Sequence, residues 1–334
     1  MTIDSKAASL RAREFKERFV LPLDQLWKEF DSMQTSVPPT FRGAALAFRQ
    51  NIESALTVAT IPYIMAYTAV VRTRLNSLSI AERIRAQTAI EDGEPEEDAL
   101  RKASLKASAR LEEELKDTEA HKRMGDQVVG DLLELVEQPE FDAASYELLL
   151  ETLVMIWGAF EILATDIVRV VLNADPSTAQ KLFSDQDAEK HFPSRGVSIE
   201  DLASHDFNVA ASMGDLLLTD RHLESLPLIK AVLNAISEKE SLREHLSNPD
   251  LWLLGQRRNL IVHRRGVIDA AYLKKTSDKG VVGSRVTIGS DYVEASFVLV
   301  VGLAVEILKG LEHTVGTNIS AKLAEIARHT GSTS

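Results

Sequence analysis

Between Ala143 and Asn173 the chain places Leu149, Leu150, Leu153, Ile156, Trp157, Phe160, Leu163, Ile167, Val170 and Val171 at helical spacing. These residues cover much of a helix's circumference instead of one stripe. A helix apolar on so many sides must sit at the centre of a bundle or at an oligomer interface. Glu161 and Asp166 are set among these residues. A carboxylate in such surroundings needs a partner or a route to solvent.

The remainder predicts an all-α chain. Glu14, Phe15, Phe19, Leu23, Leu26 and Trp27 suggest an early amphipathic segment interrupted by Pro22, and Pro38-Pro39 breaks the chain. Helix is expected from about Phe41 to Thr88 with an interruption at Pro62, and again from Ala99 to Val136. The acidic run from Glu91 to Asp98 between them reads as a turn or linker. Residues 175–208 read as loops with short helical pieces, followed by helices over Val209–Leu218 and Leu226–Ile236. Asn248 and Pro249 supply an N-cap and a first helical residue, and Gly266 suits the left-handed stop of the helix they open. Tyr272 to Ser290 is the only stretch with irregular or β character, centred near 276–290. Asp291 and Glu294 form a capping-box pair for a helix from Tyr292 to about Thr314 that buries Phe297, Val298, Val301, Val305, Ile307 and Leu308. A short helix over Ile319–Ala327 and a frayed Gly-Ser-Thr-Ser end complete the chain. Gln138-Pro139-Glu140 marks the expected domain boundary, giving a helical N-terminal region over 1–138, a bundle over 139–315 and a tail over 316–334.

Composition removes several classes of chemistry. With no cysteine among 334 residues, disulfides, thiolate zinc sites and cysteine nucleophiles are absent, and a reducing, cytoplasmic setting is expected. The N-terminal Met1 to Ala7 has no apolar core of a secretory signal. Ser54 to Val71 is uncharged for eighteen residues but holds Pro62, Tyr63, Tyr67 and four Ser or Thr residues. That favours a buried, kinked helix over a membrane span, and no membrane partner is expected. There is no phosphate-binding glycine loop, nucleophile elbow or HExxH pair, and the eight histidines are scattered. No metal or cofactor is expected.

A net charge of −12 argues against general affinity for nucleic acid, yet the sign reverses locally. From Asp250 to Arg285 there are eight Lys or Arg and three Asp. At the centre lies Arg257-Arg258-Asn259-Leu260-Ile261-Val262-His263-Arg264-Arg265. Asn259 and His263 share a helix face, Leu260 and Ile261 anchor the segment, and the side chain of Arg258 is long enough to lean toward them. His263 falls in the last turn, where the helix dipole favours imidazolium while the neighbouring arginines oppose it. The residues alone leave that balance open.

Arg258-Asn259-Leu260-Ile261-Val262-His263 resembles the R-x4-6-H motif of HEPN domains, with Asn259 as the polar residue that commonly follows the arginine. The helix carrying Trp157, Phe160 and Glu161 resembles that family's first core helix, and the capped helix from Asp291 its last. The resemblance spans about residues 140–315. It implies a HEPN-like helical bundle, a homodimer with a composite site, and a metal-independent endoribonuclease with RNA as its partner. Such an enzyme could be a toxin or defence effector, with an antitoxin or regulatory protein as a further partner. In that reading Arg258, His263 and Asn259 are catalytic and Glu161 supports Arg258. Arg257, Arg264 and Arg265 are candidates for the RNA backbone, since phosphate binding needs charge more than geometry. The bland alternatives are a histidine capping helix carbonyls, a Glu161 that pairs elsewhere or faces solvent, and a solvated basic helix end. The alternative function is a non-catalytic RNA-binding or protein-interaction module, motivated by the N-terminal 138 residues.

Overall fold

The computed structural model describes residues 14–23, 25–34, 37–91, 95–190, 197–218 and 222–330. Helix accounts for 81% of it, and no sheet forms among the described residues. The helices are α1 (Lys28–Gln34), α2 (Arg42–Glu91), α3 (Glu96–Lys116), α4 (Thr118–Val136) and α5 (Pro139–Ala174). Next come the short α6 (Thr178–Ser184), α7 (Gln186–Glu189) and α8 (Ile199–Ser204). Then follow α9 (Val209–Leu218), α10 (Leu226–Ile236), α11 (Glu240–Leu246), α12 (Pro249–Arg264), α13 (Ala270–Thr276) and α14 (Ser290–Thr330). The expected N-terminal Met1 to Ala7, Asp92 to Glu94 of the acidic run and the Gly-Ser-Thr-Ser end lie outside the described residues.

Two compact units form, each discontinuous in sequence. The first combines Met1–Pro22, Thr57–Leu148 and Gly289–Asp291, and the second Leu23–Leu56, Leu149–Ile288 and Tyr292–Ser334. Pro139 therefore acts as the first residue of a helix, where its missing N–H costs no hydrogen bond, and α5 runs on past it.

The first unit is built on Phe15, Phe19, Val70, Met124, Val128 and Leu132, with Tyr63, Tyr67 and Phe141 packed against them. Ala99, Ala103, Ala107 and Leu111 give α3 a narrow buried stripe at i, i+4 spacing. The stretch expected as one helix from Ala99 to Val136 is divided at Asp117. Its extended backbone ends α3, and its carboxylate accepts from Ala120 N at 2.7 Å to cap α4. Pro62 lies inside α2 without ending it. The burial expected around Pro62 is not found: only 22% of the apolar window is buried. The core uses the Tyr63, Ala66, Tyr67 and Val70 face and leaves Ile61, Ile64 and Met65 exposed.

The second unit buries the apolar helix that organises the sequence. Leu150, Leu153, Ile156, Trp157, Phe160, Leu163 and Ile167 are all shielded from solvent within the chain. On α14, Phe297, Val301, Val305, Ile307 and Leu308 are buried as expected, while Val298 is exposed. The helix itself runs from Ser290 through Thr330, so Asp291 lies in its first turn and the separate Ile319–Ala327 helix is part of it. The expected β character reduces to one bridge, Val267 with Arg285, supported by Ile268 N to Ser284 O and Gly283 N to Ile268 O, both 2.9 Å. Within the same stretch Ala270–Thr276 is helix, because Asp269 caps it through Tyr272 N at 2.7 Å.

Candidate active site on helix α12

α12 starts where its sequence says it should. Asn248 Oδ1 accepts from Asp250 N at 2.8 Å and Pro249 opens the helix. It stops one residue before the expected glycine. Arg265 takes the left-handed conformation (φ 53°), with its N–H on Ile261 O at 2.8 Å, and Gly266 N reaches Leu260 O at 3.1 Å. Gly266 also has positive φ (77°) and receives Val286 N on its carbonyl at 2.8 Å. Two consecutive positive-φ residues turn the chain back sharply, and the arginine accepts a cost of about 1–2 kcal/mol that glycine would avoid. Arg285 offsets part of it by donating Nε and Nη2 to the Arg265 carbonyl at 3.3 and 3.1 Å.

The face of α12 turned toward α5 begins at Gly255. A Cβ there would lie 2.7 Å from the Trp157 ring, so the glycine admits the indole against the helix backbone. Trp157 Nε1 donates to Glu161 Oε1 at 2.6 Å, one turn along α5. Glu161 Oε2 accepts from Arg258 Nη2 at 3.2 Å, and Arg258 Nη1 donates to Asn259 Oδ1 at 3.1 Å. A continuous relay thus runs from Trp157 through Glu161 and Arg258 to Asn259. The Glu161 and Arg258 side chains are 12% and 22% exposed, sheltered but not sealed. Arg258 Nε is buried with no hydrogen-bond partner among the described residues. Burial raises the Glu161 carboxyl above its ordinary value, and the Trp157 hydrogen bond and Arg258 charge only partly oppose it. Glu224 adds to the rise and His222 works against it. Leu223 between them is pinned by its N–H on Thr165 Oγ1 at 3.1 Å.

His263 is exposed in the last turn of α12, four residues after Asn259, and caps no carbonyl among the described residues. Asn259 is exposed as well, so it and His263 present one helix face to solvent while Arg258 leans in from the side. Asp166 pairs with Arg169 at 2.8 Å and takes no part.

The three outer arginines part company. Arg257 is bound to Asp278 through Nε at 3.0 Å and Nη2 at 2.9 Å, and its guanidinium lies 4.2 Å from the centre of the Tyr292 ring. With side chains 11% and 13% exposed, this pair is interior, so Arg257 holds the fold and is not offered to a phosphate. Tyr272 donates to the same carboxylate at 2.6 Å. Burial pushes the Tyr272 hydroxyl up to about 12, and the bond to Asp278 adds to that. Burial also pushes Asp278 up, but the bonds from Tyr272 and Arg257 together outweigh it and hold the carboxyl below its usual range. Arg264 is half-exposed and pairs with Asp269 at 3.3 Å, and Arg265 is exposed. Trp157 and Gly255 are the participants that sequence reading passed over. A glycine inside a helix and a tryptophan four residues before a glutamate were the available signals.

Gly255→Ala is the sharpest probe of this relay. Alanine is the better helix former by about 1 kcal/mol, yet here its methyl meets the Trp157 ring in a filled interior. We expect a net loss of about 1–3 kcal/mol in denaturant unfolding, together with altered Trp157 fluorescence. A variant as stable as the parent would mean that the indole moves aside freely.

Among the described residues no three His, Cys, Asp or Glu side chains gather as a metal site. Compared with family models, with curated proteins and with solved structures, the chain finds no match.

Proposed function

We propose that this protein is a metal-independent endoribonuclease of the HEPN type, acting at Arg258 and His263 of a helical bundle. The observation that carries the reading is the relay from Trp157 through Glu161, which holds a partly exposed Arg258 on the helix that ends in an exposed His263. Arginine held by a carboxylate and still partly exposed suits the charge that develops on a pentacoordinate phosphate. Histidine is the side chain suited to proton transfer near neutral pH.

In the proposed reaction a ribose 2′-oxygen bonds to the adjacent phosphorus as its proton passes to the imidazole of His263. The bond from phosphorus to the 5′-oxygen breaks, and that oxygen takes a proton from the imidazolium of a second copy in a homodimeric, composite site. The products are a 2′,3′-cyclic phosphate and a free 5′-hydroxyl, so atoms and protons balance without redox chemistry. Asn259 holds the Arg258 guanidinium in place, and Arg264 and Arg265 lie on the exposed surface where the RNA backbone would pass. A defence or toxin role, with an antitoxin or regulatory protein to restrain it, follows from the same reading.

The test is to incubate the purified protein with end-labelled single-stranded RNA in EDTA. Fragments ending in cyclic phosphate are expected, and a single 2′-deoxy nucleotide at the cut site should block cleavage there. Cleavage that tolerates the deoxy substitution would rule out 2′-oxygen attack.

A second reading, a protein-interaction module without catalysis, is favoured by the apolar side chains that α2 leaves exposed in two groups. Met65 and Ile84 are 67% and 69% exposed, with Ile61, Ile64 and Ile80 also at the surface. Absence of both RNA binding and cleavage at low salt would select it.

A further inference from the structure

The N-terminal end of α12, away from His263, opens on a cavity of about 490 Å³. Leu226 and Leu246 form apolar walls, and Trp252, in the early part of α12, stands at the cavity with its side chain partly exposed. Lys230 and Asn234, one turn apart on α10, contribute a cation and an amide. Asn234 Oδ1 is buried with no donor among the described residues. That oxygen is closed to solvent, so Asn234 meets the cavity through its remaining atoms.

Helical register ties this cavity to the proposed site. Trp252, Gln256, Asn259 and His263 follow one another at i, i+4, i+7 and i+11, which is one stripe of α12. Gln256 is half-buried, and Asn259 and His263 are exposed. At 1.5 Å per residue the stripe from Trp252 to His263 is about 16 Å long.

We propose that the cavity is a nucleobase pocket, and that single-stranded RNA lies along this stripe with one base against Trp252 and the scissile phosphate at the Arg258 and His263 end. The inference rests on the ribonuclease reading and adds to it a second subsite that sets where the strand enters. Trp252 and Lys230 each match one part of a nucleotide. Trp252 offers a ring for stacking, which any base can use. Asn234 adds an amide side chain to the wall, and Lys230 meets a phosphate, with Lys190 beside it already paired to Asp187 at 2.7 Å.

The experiment uses full-length protein carrying His263→Ala, which keeps RNA intact, and two probes: the four ribonucleoside 5′-monophosphates and a labelled single-stranded RNA oligonucleotide. Saturable binding of at least one monophosphate is expected. Trp252→Ala should weaken both probes by about 5- to 150-fold, the range implied by losing one base-stacking contact. Trp252→Phe should recover most of that loss, which separates stacking from misfolding, and Lys230→Glu should weaken both probes. Oligonucleotide affinity unchanged by Trp252→Ala overturns the proposal, even if a free monophosphate still binds, because the strand then does not use the pocket. Absence of monophosphate binding at millimolar concentration overturns it as well. Those failures leave the ribonuclease reading intact if the His263 parent cleaves RNA. A pocket that binds both probes in a protein whose parent never cleaves would instead sink the ribonuclease reading.

Discussion

Replacing His263 with alanine is expected to lower RNA cleavage by about 10²- to 10⁴-fold, the usual contribution of a positioned proton-transfer group. The side chain is exposed at the end of α12, so stability should change by no more than about 0.5 kcal/mol. The two readouts together exclude unfolding as the cause. Retention of the parental rate would remove His263 from the chemistry. The pH profile carries independent information about Glu161. Its carboxylate must be ionised to hold Arg258, and burial has raised its proton affinity. Activity should therefore fall as pH drops through that raised value, at a higher pH than a free carboxylate would give. Glu161→Gln should lower the rate and change the acid side of the pH profile, and an unchanged profile would remove Glu161 from it. The sign for stability is the reverse. A carboxyl whose folded value is raised costs stability once pH exceeds its unfolded value, and the cost is relieved as pH falls below it.

Asp278→Asn is expected to cost about 3–5 kcal/mol, because it leaves the Arg257 charge buried without its counter-charge. The pair is interior, bidentate and braced by Tyr272 and the Tyr292 ring. Urea denaturation of parent and variant at neutral pH measures the loss, and a change under about 1 kcal/mol would show that water reaches the pair. Replacing both members, Arg257→Met with Asp278→Leu, should restore much of the stability, since an apolar pair need not be charged to fill the space. The Asp278 carboxyl is held below its usual range, so its contribution is present above the unfolded value and disappears as pH falls through the lower folded one. Parent and Asp278→Asn stabilities should accordingly converge in acid.

Helix content was readable because it depends on neighbours in the chain. Asn248 starts α12 by accepting from Asp250 N and Pro249 by having no N–H to leave unpaired, and the 3.6-residue period of the Leu149 to Val171 set dictates burial. The misses share a physical cause. Asp117 divides α3 from α4 because a cap there is better satisfied than another turn of helix. Arg265 takes the left-handed position in place of Gly266 because the returning chain needs both residues at positive φ. The burial expected around Pro62 failed because periodicity says which residues could face a core, and the first unit's core covers only one side of α2.

Adjacent arginines give the clearest division. Residue order alone puts Arg257 and Arg258 one after the other on α12, about 100° apart around its axis, with Asn259 and His263 on a shared face. It could not say which arginine turns inward. That was decided by Asp278, which draws Arg257 into the fold from 21 residues away, and by Glu161, which holds Arg258 from 97 residues away. Local backbone rules reach only a few residues, whereas the burial of a charge is settled by whichever counter-charge the packed chain delivers to it.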